Sequence, residues 1–420
     1  MITGSRLGSL YWLAAFLLCA TSSMNASDWP RFRGPNGTGI SLDKGVPTAL
    51  GEGKNLLWKV AIPGSGNSSP VVAAGKIFLQ TATPDGEKRL LLCLDLHDGK
   101  TLWEQPAPGG QGTTHQKNTL ASCTGAADHD RVFMPFWDGK DLSLAAFSVE
   151  GKPLWNVPLG PYASQHGAGI SPIIVGDLVI LANDQDGNAE VIAFDRRDGT
   201  IAWRTSRPPH KACYSTPLLL DVPGEGPEIL VASTAGVAGY EPASGAEKWH
   251  WNWANNNLHL RTVGSPIVSQ GHVIFSGGNG PGDRHAVAIR LDGRKGELSD
   301  DHLAWETRKV LPYVPCMLSL GDHLYFVNDA GIAGCVVAKT GKTVWNQRLG
   351  IKNVTASPLI VENRIYAFSE TGGIAVFTAS PENKEFYEST LSEGVLASPA
   401  VADGRLLVRG RQHLYCFGEK

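Results

Sequence analysis

Short apolar runs, rich in β-branched residues, recur along the whole chain and are separated by polar turns. The stretch 171–207 shows the unit clearly. An apolar run at 171–175 meets the turn Gly176-Asp177, and a second run follows at 178–182. A polar loop at 183–190 leads to a third run at 191–195, and Asp198-Gly199 turns into an outer segment carrying Trp203. Alternation with period two, bounded by Gly, Asp and Asn, predicts four antiparallel strands joined by tight turns.

The unit repeats. A Trp stands four residues after a turn Gly at Gly99/Trp103, Gly151/Trp155, Gly199/Trp203, Gly245/Trp249 and Gly341/Trp345. A small polar residue and Pro open the innermost strand at Ser69-Pro70, Ser171-Pro172, Thr216-Pro217, Ser265-Pro266, Ser357-Pro358 and Ser398-Pro399. Ser122-Cys123 and Pro315-Cys316 occupy the other two starts. Eight starts over residues 56–420 give units of about 45 residues, a period that marks a radially repeated β architecture. The expected fold is therefore all-β: an eight-bladed propeller of four-stranded blades.

The ends of the repeat predict how the ring closes. The last unit offers three strands, at 399–402, 406–409 and 414–417. Residues 56–62, with Trp58, form a strand with no unit before it, and they can complete the last blade and remove two exposed edges. Trp58, Trp103, Trp155, Trp203, Trp249, Trp305 and Trp345 are expected to pack each blade on the next, with Phe386 filling that place in the seventh.

Arg6 followed by the apolar stretch 7–20 and then small residues reads as an export signal ending near residue 26. Cys19 follows Leu18, where a lipid-attachment motif wants Gly or Ala. The resulting organisation is a signal at 1–26, an N-terminal arm at 27–55 and the propeller at 56–420. Trp29 and Phe32 are expected to anchor the Gly-rich arm across the propeller surface. No later segment is long and apolar enough for a membrane helix. A net charge of -3 without a basic tail points away from nucleic acid.

Cys93, Cys123, Cys213, Cys316, Cys335 and Cys416 follow the proposed signal. Cys93, Cys335 and Cys416 share one strand position, and Cys123 and Cys316 another. Equivalent positions in separate blades are too far apart to bridge, so buried free thiols are expected. The Gly-Lys-Thr triplets at 99–101 and 341–343 lack the first Gly of a phosphate loop. Asn183, Asp184, Asp186, Asn188 and Glu190 space oxygen ligands as calcium loops do, and the same string makes an ordinary polar turn. No His spacing typical of zinc and no Gly-x-Ser-x-Gly occurs.

The repeat leaves unexplained the connections from an outer strand to the next inner strand, all of which emerge on one face. There lie His115, Lys117 and Asn118; His166; His210 and Tyr214; and, in the dense stretch 250–263, Trp251, Trp253, His259 and Arg261. Indole rings beside amides and a cation suit a flat or sugar-like ligand; alternatively Trp251 and Trp253 extend the outer strand.

The phrase x-Asp-x-x-[Thr/Asp]-Gly-x-x-x-Trp, the Ser-Pro strand starts and the eight-fold count resemble the PQQ-binding-like β-propeller repeat. The N-terminal phrase 28–39 (DWPRFRGPNGTG) is similar to the start of secreted bacterial members. That resemblance implies one of two roles. The first is an exported, non-catalytic, BamB-like scaffold that holds no cofactor and presents loops to a protein, peptide or glycan partner in the bacterial envelope. The second is a PQQ-dependent oxidoreductase with calcium, whose quinone would lie between a Trp and a vicinal Cys-Cys disulfide. No Cys-Cys pair exists in this chain, and no calcium ligand or catalytic Asp carries over. The scaffold reading is the expected one.

Overall fold

The computed structural model describes residues 28–419 except 209–210, 223, 254–260, 280–281, 310 and 383–384. The signal segment therefore lies outside the described residues. Eight antiparallel sheets form the blades of a propeller, and no α-helix occurs among the described residues. The third blade consists of Ile173–Val175, Leu178–Asn183, Ala189–Asp195 and Ile201–Arg207, in order from axis to rim.

The ring closes through its first strand. Leu56–Ala61 pairs antiparallel with His413–Phe417, setting Trp58 opposite Cys416. The last blade is thus shared between the two ends of the propeller. Two blades gain a fifth strand that repeat counting does not foresee. Ile40–Ser41 of the arm adds parallel to Leu359–Val361 in the seventh blade. Gly296–Leu298 adds parallel to Glu247–Asn252 in the fourth.

A belt of hydrogen bonds at the inner-strand starts explains the repeated Ser-Pro. Six of the eight starts donate their main-chain N–H to the side chain at the equivalent place in the next blade. The chain of donors runs Thr216 to Ser265 (3.0 Å), Ser265 to Cys316 Sγ (3.1 Å) and Cys316 to Ser357 (3.1 Å). It continues Ser357 to Ser398 (2.9 Å), Ser398 to Ser69 (3.1 Å) and Ser69 to Thr124 (3.0 Å). A small side chain with an accepting atom is what this geometry demands. Thr124 supplies it in the second blade, so Cys123 and Cys316 are not equivalent after all. The equivalent of Cys316 is Thr124, one residue further on.

The Trp residues form a second girdle further out. Trp103, Trp155, Trp203, Trp305 and Trp345 each donate indole Nε1 to a main-chain oxygen of the following blade, at 2.8–3.2 Å. The ring also covers the turn of that blade. A Cβ on Gly151 would sit 2.7 Å from the Trp103 ring, and its φ of +91° already disfavours other residues. Trp58 covers Gly99 in the same way and brings the girdle back to the first blade.

The seventh blade departs from expectation. Its outer strand Phe386–Thr390 pairs without the bulge seen in its neighbours, so Tyr387, not Phe386, stands at the Trp register. Tyr387 is exposed, and Phe386 stacks back on Phe377 at 5.4 Å. Val46 and Leu50 of the arm are buried instead in the apolar cluster that joins the seventh and eighth blades. The Tyr366 hydroxyl donates to Val46 O there.

All six described cysteines are buried and free. Burial pushes Cys93, Cys123 and Cys416 up to about 12, and Cys213 and Cys335 up to about 11. A thiol-reactive probe at pH 8 should leave these residues unlabelled in the folded protein and label them all in concentrated guanidinium, which mass spectrometry would read. Deleting residues 54–62 removes the closing strand and its Trp, exposing an edge on the last blade. That variant should fail to give a soluble, cooperatively melting protein; an unchanged melting temperature would sink this account of closure.

Candidate functional site

The belt marks one face of the disc. Each inner strand leaves the belt and runs to the opposite face, and the second strand returns. Two sets of loops therefore rise around the belt: the connections between blades and the hairpins between second and third strands. Together they surround a cavity of about 430 Å³ on the propeller axis. Ser69, Thr124, Ser171, Thr216, Ser357 and Ser398 form its waist.

The arm closes the cavity from below. Trp29 exchanges main-chain hydrogen bonds with Val72, and Pro30 O accepts from Ala127 N. Arg31 Nη2 donates to Pro217 O (2.6 Å), Arg33 Nη2 to Met317 O (2.7 Å), and Ile360 N to Gly39 O (2.7 Å). These partners lie one to three residues beyond the belt in five blades. The arm thus enters the channel, and does not lie across the surface as expected, with Phe32 forming the floor. The result is a cup open at one end.

Five of the expected ligand-face residues meet in this cup: His115, Lys117, Asn118, His166 and Tyr214. The His115 and His166 rings touch edge to face at 4.8 Å. His115 Nδ1 accepts from Lys117 N, so its proton lies on Nε2. Burial, with help from Arg261 and His115, holds His166 below the usual imidazole value, leaving it neutral near pH 7. Asn118 Nδ2 donates to His166 O and Ala168 O, tying two loops together. The Tyr214 hydroxyl shares a 2.7 Å hydrogen bond with Ser164, and burial pushes it up to about 12.

The other expected residues are elsewhere. His210 and His259 lie outside the described residues. Trp251 and Trp253 are 3% and 7% exposed and face the fifth blade. Trp251 packs on Phe275 at 6.4 Å and Trp253 at 5.1 Å, and Trp253 Nε1 donates to His285 Nδ1. The strand-extension alternative is the one the structure shows: residues 249, 251 and 253 alternate onto one face. That period-two spacing was visible in the sequence. Arg261 is also buried; it donates to Ala212 O and Gln165 Oε1, bracing the wall behind Tyr214.

Several lining residues escaped sequence reasoning because they come from the second-to-third-strand hairpins. Asn279, Arg284 and Asp329 are of this kind, and Glu370, on another such hairpin, holds the lining residue Lys117. Asp329 accepts from Tyr313 N and Val314 N, and Arg284 lies 4.9 Å from the Tyr313 ring centre. Glu370 pairs with Lys117 at 2.8 Å and accepts from the Thr355 hydroxyl. The signal that could have found them is topological: the second strand of every blade ends on the belt face.

The oxygen-rich loop at 183–190 is committed internally. Asp184 pairs with Arg207 at 2.8 Å, Gln185 accepts from Ala163 N, and Asp186 accepts from Ala212 N. Glu190 pairs with Arg204 at 2.6 Å, and these contacts are those of the polar-turn alternative. On the opposite face Asp128, His129 and Asp130 cluster, and Arg196 neutralises both acids at 2.8 and 2.6 Å.

A closed cup inside an eight-bladed ring with Trp docking defines a propeller of the PQQ-like repeat class. The chain belongs to the family described as outer membrane protein assembly factor BamB, whose profile matches residues 29–166 and 124–347. BamB of Yersinia pestis is 23% identical over 308 residues, covering 68% of this chain and 73% of that protein. A lanthanide-dependent methanol dehydrogenase of Methylacidiphilum fumariolicum is 23% identical over 230 residues, 48% of this chain and 36% of the enzyme. The structure of BamB from Moraxella catarrhalis matches with a TM-score of 0.61 at 14% identity, covering 86% of this chain and 98% of that one. Quinohemoprotein alcohol dehydrogenase from Comamonas testosteroni matches with 0.69 at 14% identity, covering 94% and 81%.

The dehydrogenase relatives raise the question of a quinone, and the cup gives it a poor fit. No Trp is among the described lining residues, and Cys316 spends its sulfur accepting from Ser265 N. Its lining carboxylate Asp329 is engaged by main-chain N–H groups, and Glu370, next to the lining residue Lys117, is paired with it. The stacking sandwich and calcium ligands implied by the resemblance are not presented, and no reaction step is derived through that cofactor.

Asp184→Asn leaves the Arg207 cation buried without its acid. It should cost about 3–5 kcal/mol in urea unfolding, the range for breaking one partner of a buried pair. Added calcium should shift neither protein's midpoint.

Proposed function

We propose that this protein is an exported, non-catalytic binding propeller of the bacterial envelope that engages a polypeptide partner through the belt face. The observation that carries the reading is the cup. It is a concave, partly aromatic, loop-lined site on a rigid scaffold, closed below by the chain's own arm. Such placement of adaptable loops on a fixed frame is how binding surfaces are built. Family membership supports a partner-binding role, and the apolar stretch 7–20 supports export. The titratable groups at the mouth are held by one another: Lys117 by Glu370, and Asp329 by main-chain donors. Among the described residues no hydrogen bond joins the His115 or His166 ring to a nucleophilic side chain, which supports recognition over catalysis.

The test compares opposite faces. His115→Glu with Gln116→Glu places negative charge on the exposed rim, and Asp177→Lys alters a turn on the far face. Partner capture from envelope extract should fall about tenfold or more for the rim variant. It should be unchanged for the far-face variant. Equal effects of both would overturn the assignment of the face. Dye reduction after adding quinone and calcium would favour the dehydrogenase reading instead.

A further inference from the structure

The floor of the cup carries an electrostatic imbalance. Arg31 and Arg33 flank Phe32 and are 8% and 2% exposed. Each guanidinium donates through Nη2 to main-chain oxygens just below the belt. Arg31 Nε and Arg33 Nε and Nη1 have no hydrogen-bond partner. No ion pair forms to either residue among the described residues. Burial alone pulls Arg31 down to about 9; Arg33 falls to about 9 through burial and the neighbouring Arg31 charge. Arg409, beside the belt, donates to Ser68 O and Gln80 O and is likewise pulled to about 9 with no acid nearby. Sealing cations away from water without a counter-charge is costly, and dipoles of carbonyl groups offset it only in part.

The chamber above these cations has matching features. The belt side chains Ser69, Ser357 and Ser398 use their oxygens as acceptors, and their own O–H protons have no acceptor among the described residues. Tyr313 lines the same cavity, and its hydroxyl forms no hydrogen bond to the described residues. Phe32, Val263, Val314, Leu396 and the rings of Tyr214 and Tyr313 supply the apolar part of the wall, and Lys117, Arg284 and Asp329 supply the charged part. The arm blocks the channel, so a chain cannot thread through. A chain end fits a cup of this kind, and a volume of about 430 Å³ suits a few residues.

We infer that the cup captures the C-terminal residue of an extended polypeptide. Its carboxylate accepts from the belt hydroxyls and Tyr313 above the buried arginines, and its apolar side chain packs against Phe32, Tyr214 and Tyr313. Capture of a terminal carboxylate by converging donors is an established recognition mode. The inference rests on the belt face being the partner surface and names what that face reads.

The test is isothermal titration of the full chain with an acetylated tripeptide ending in phenylalanine, as free acid and as C-terminal amide. The acid should bind about 10- to 100-fold more tightly, the size of one or two lost charge-assisted hydrogen bonds. Tyr313→Phe should weaken the acid about tenfold and leave the amide unchanged, without a change in melting temperature. Arg33→Gln should abolish the preference for acid. Because Arg33 also anchors the arm, that result counts only alongside an unaltered melting curve, and Tyr313→Phe remains decisive if the variant does not fold. Equal binding of acid and amide would overturn the inference, as would phenylacetate binding as tightly as the peptide, which would point to a free small carboxylate. Absence of peptide binding in a protein whose rim still captures its partner would refute the cup's role while leaving the proposed function standing.

Discussion

Six blades of this propeller borrow a hydrogen-bond acceptor from the next one, and the rest of the structure depends on that exchange. The inner strands are only a few residues long, so their first N–H groups have no ladder partner within their own sheet. Left buried and unpaired, such groups would be costly. The belt from Thr216 round to Thr124 satisfies them between blades, and in doing so sets the angle and spacing of neighbouring sheets. The Trp girdle acts at larger radius, where the gap between diverging sheets is wider and only a large aromatic fills it. A ring has no free end, so both girdles require the last blade to be completed. Leu56–Ala61 does this and carries Trp58 to the place a repeat would put it.

The arm converts that architecture into a site. A bare propeller has an open axis; here residues 29–39 enter it and contact the inner strands of five blades. One consequence is structural, since Val46 and Leu50 replace the missing Trp contact between the seventh and eighth blades. The other is chemical, since the arm brings Phe32 to the floor and seals Arg31 and Arg33 beneath it. The same segment therefore stabilises the ring and gives the cup its polarity.

Roughly half of the site could be read before the fold was seen. Loops between blades interrupt a regular period, so His115, Lys117, Asn118, His166 and Tyr214 stood out as residues the repeat did not need. Asn279, Arg284, Asp329 and Glu370 did not stand out, because they lie inside units whose turns vary in length anyway. Trp251 and Trp253 misled for a different reason. Indole rings beyond the docking position look available until alternation is followed from Trp249, which turns all three to the buried face.

The repeat count, the four-strand unit and the closing strand are written in the chain, because periodicity and turn chemistry are local and each unit restates them. So is the assignment of the cysteines and most of the Trp residues to the scaffold. Where the arm goes and which loops meet at the axis are set by the closed ring. Arg31 reaches Pro217 and Arg33 reaches Met317 across 186 and 284 residues. Contacts of that separation leave no periodic trace in the chain. They exist because a closed ring brings the starts of all its inner strands to one axis, where a single inserted segment can touch them at once.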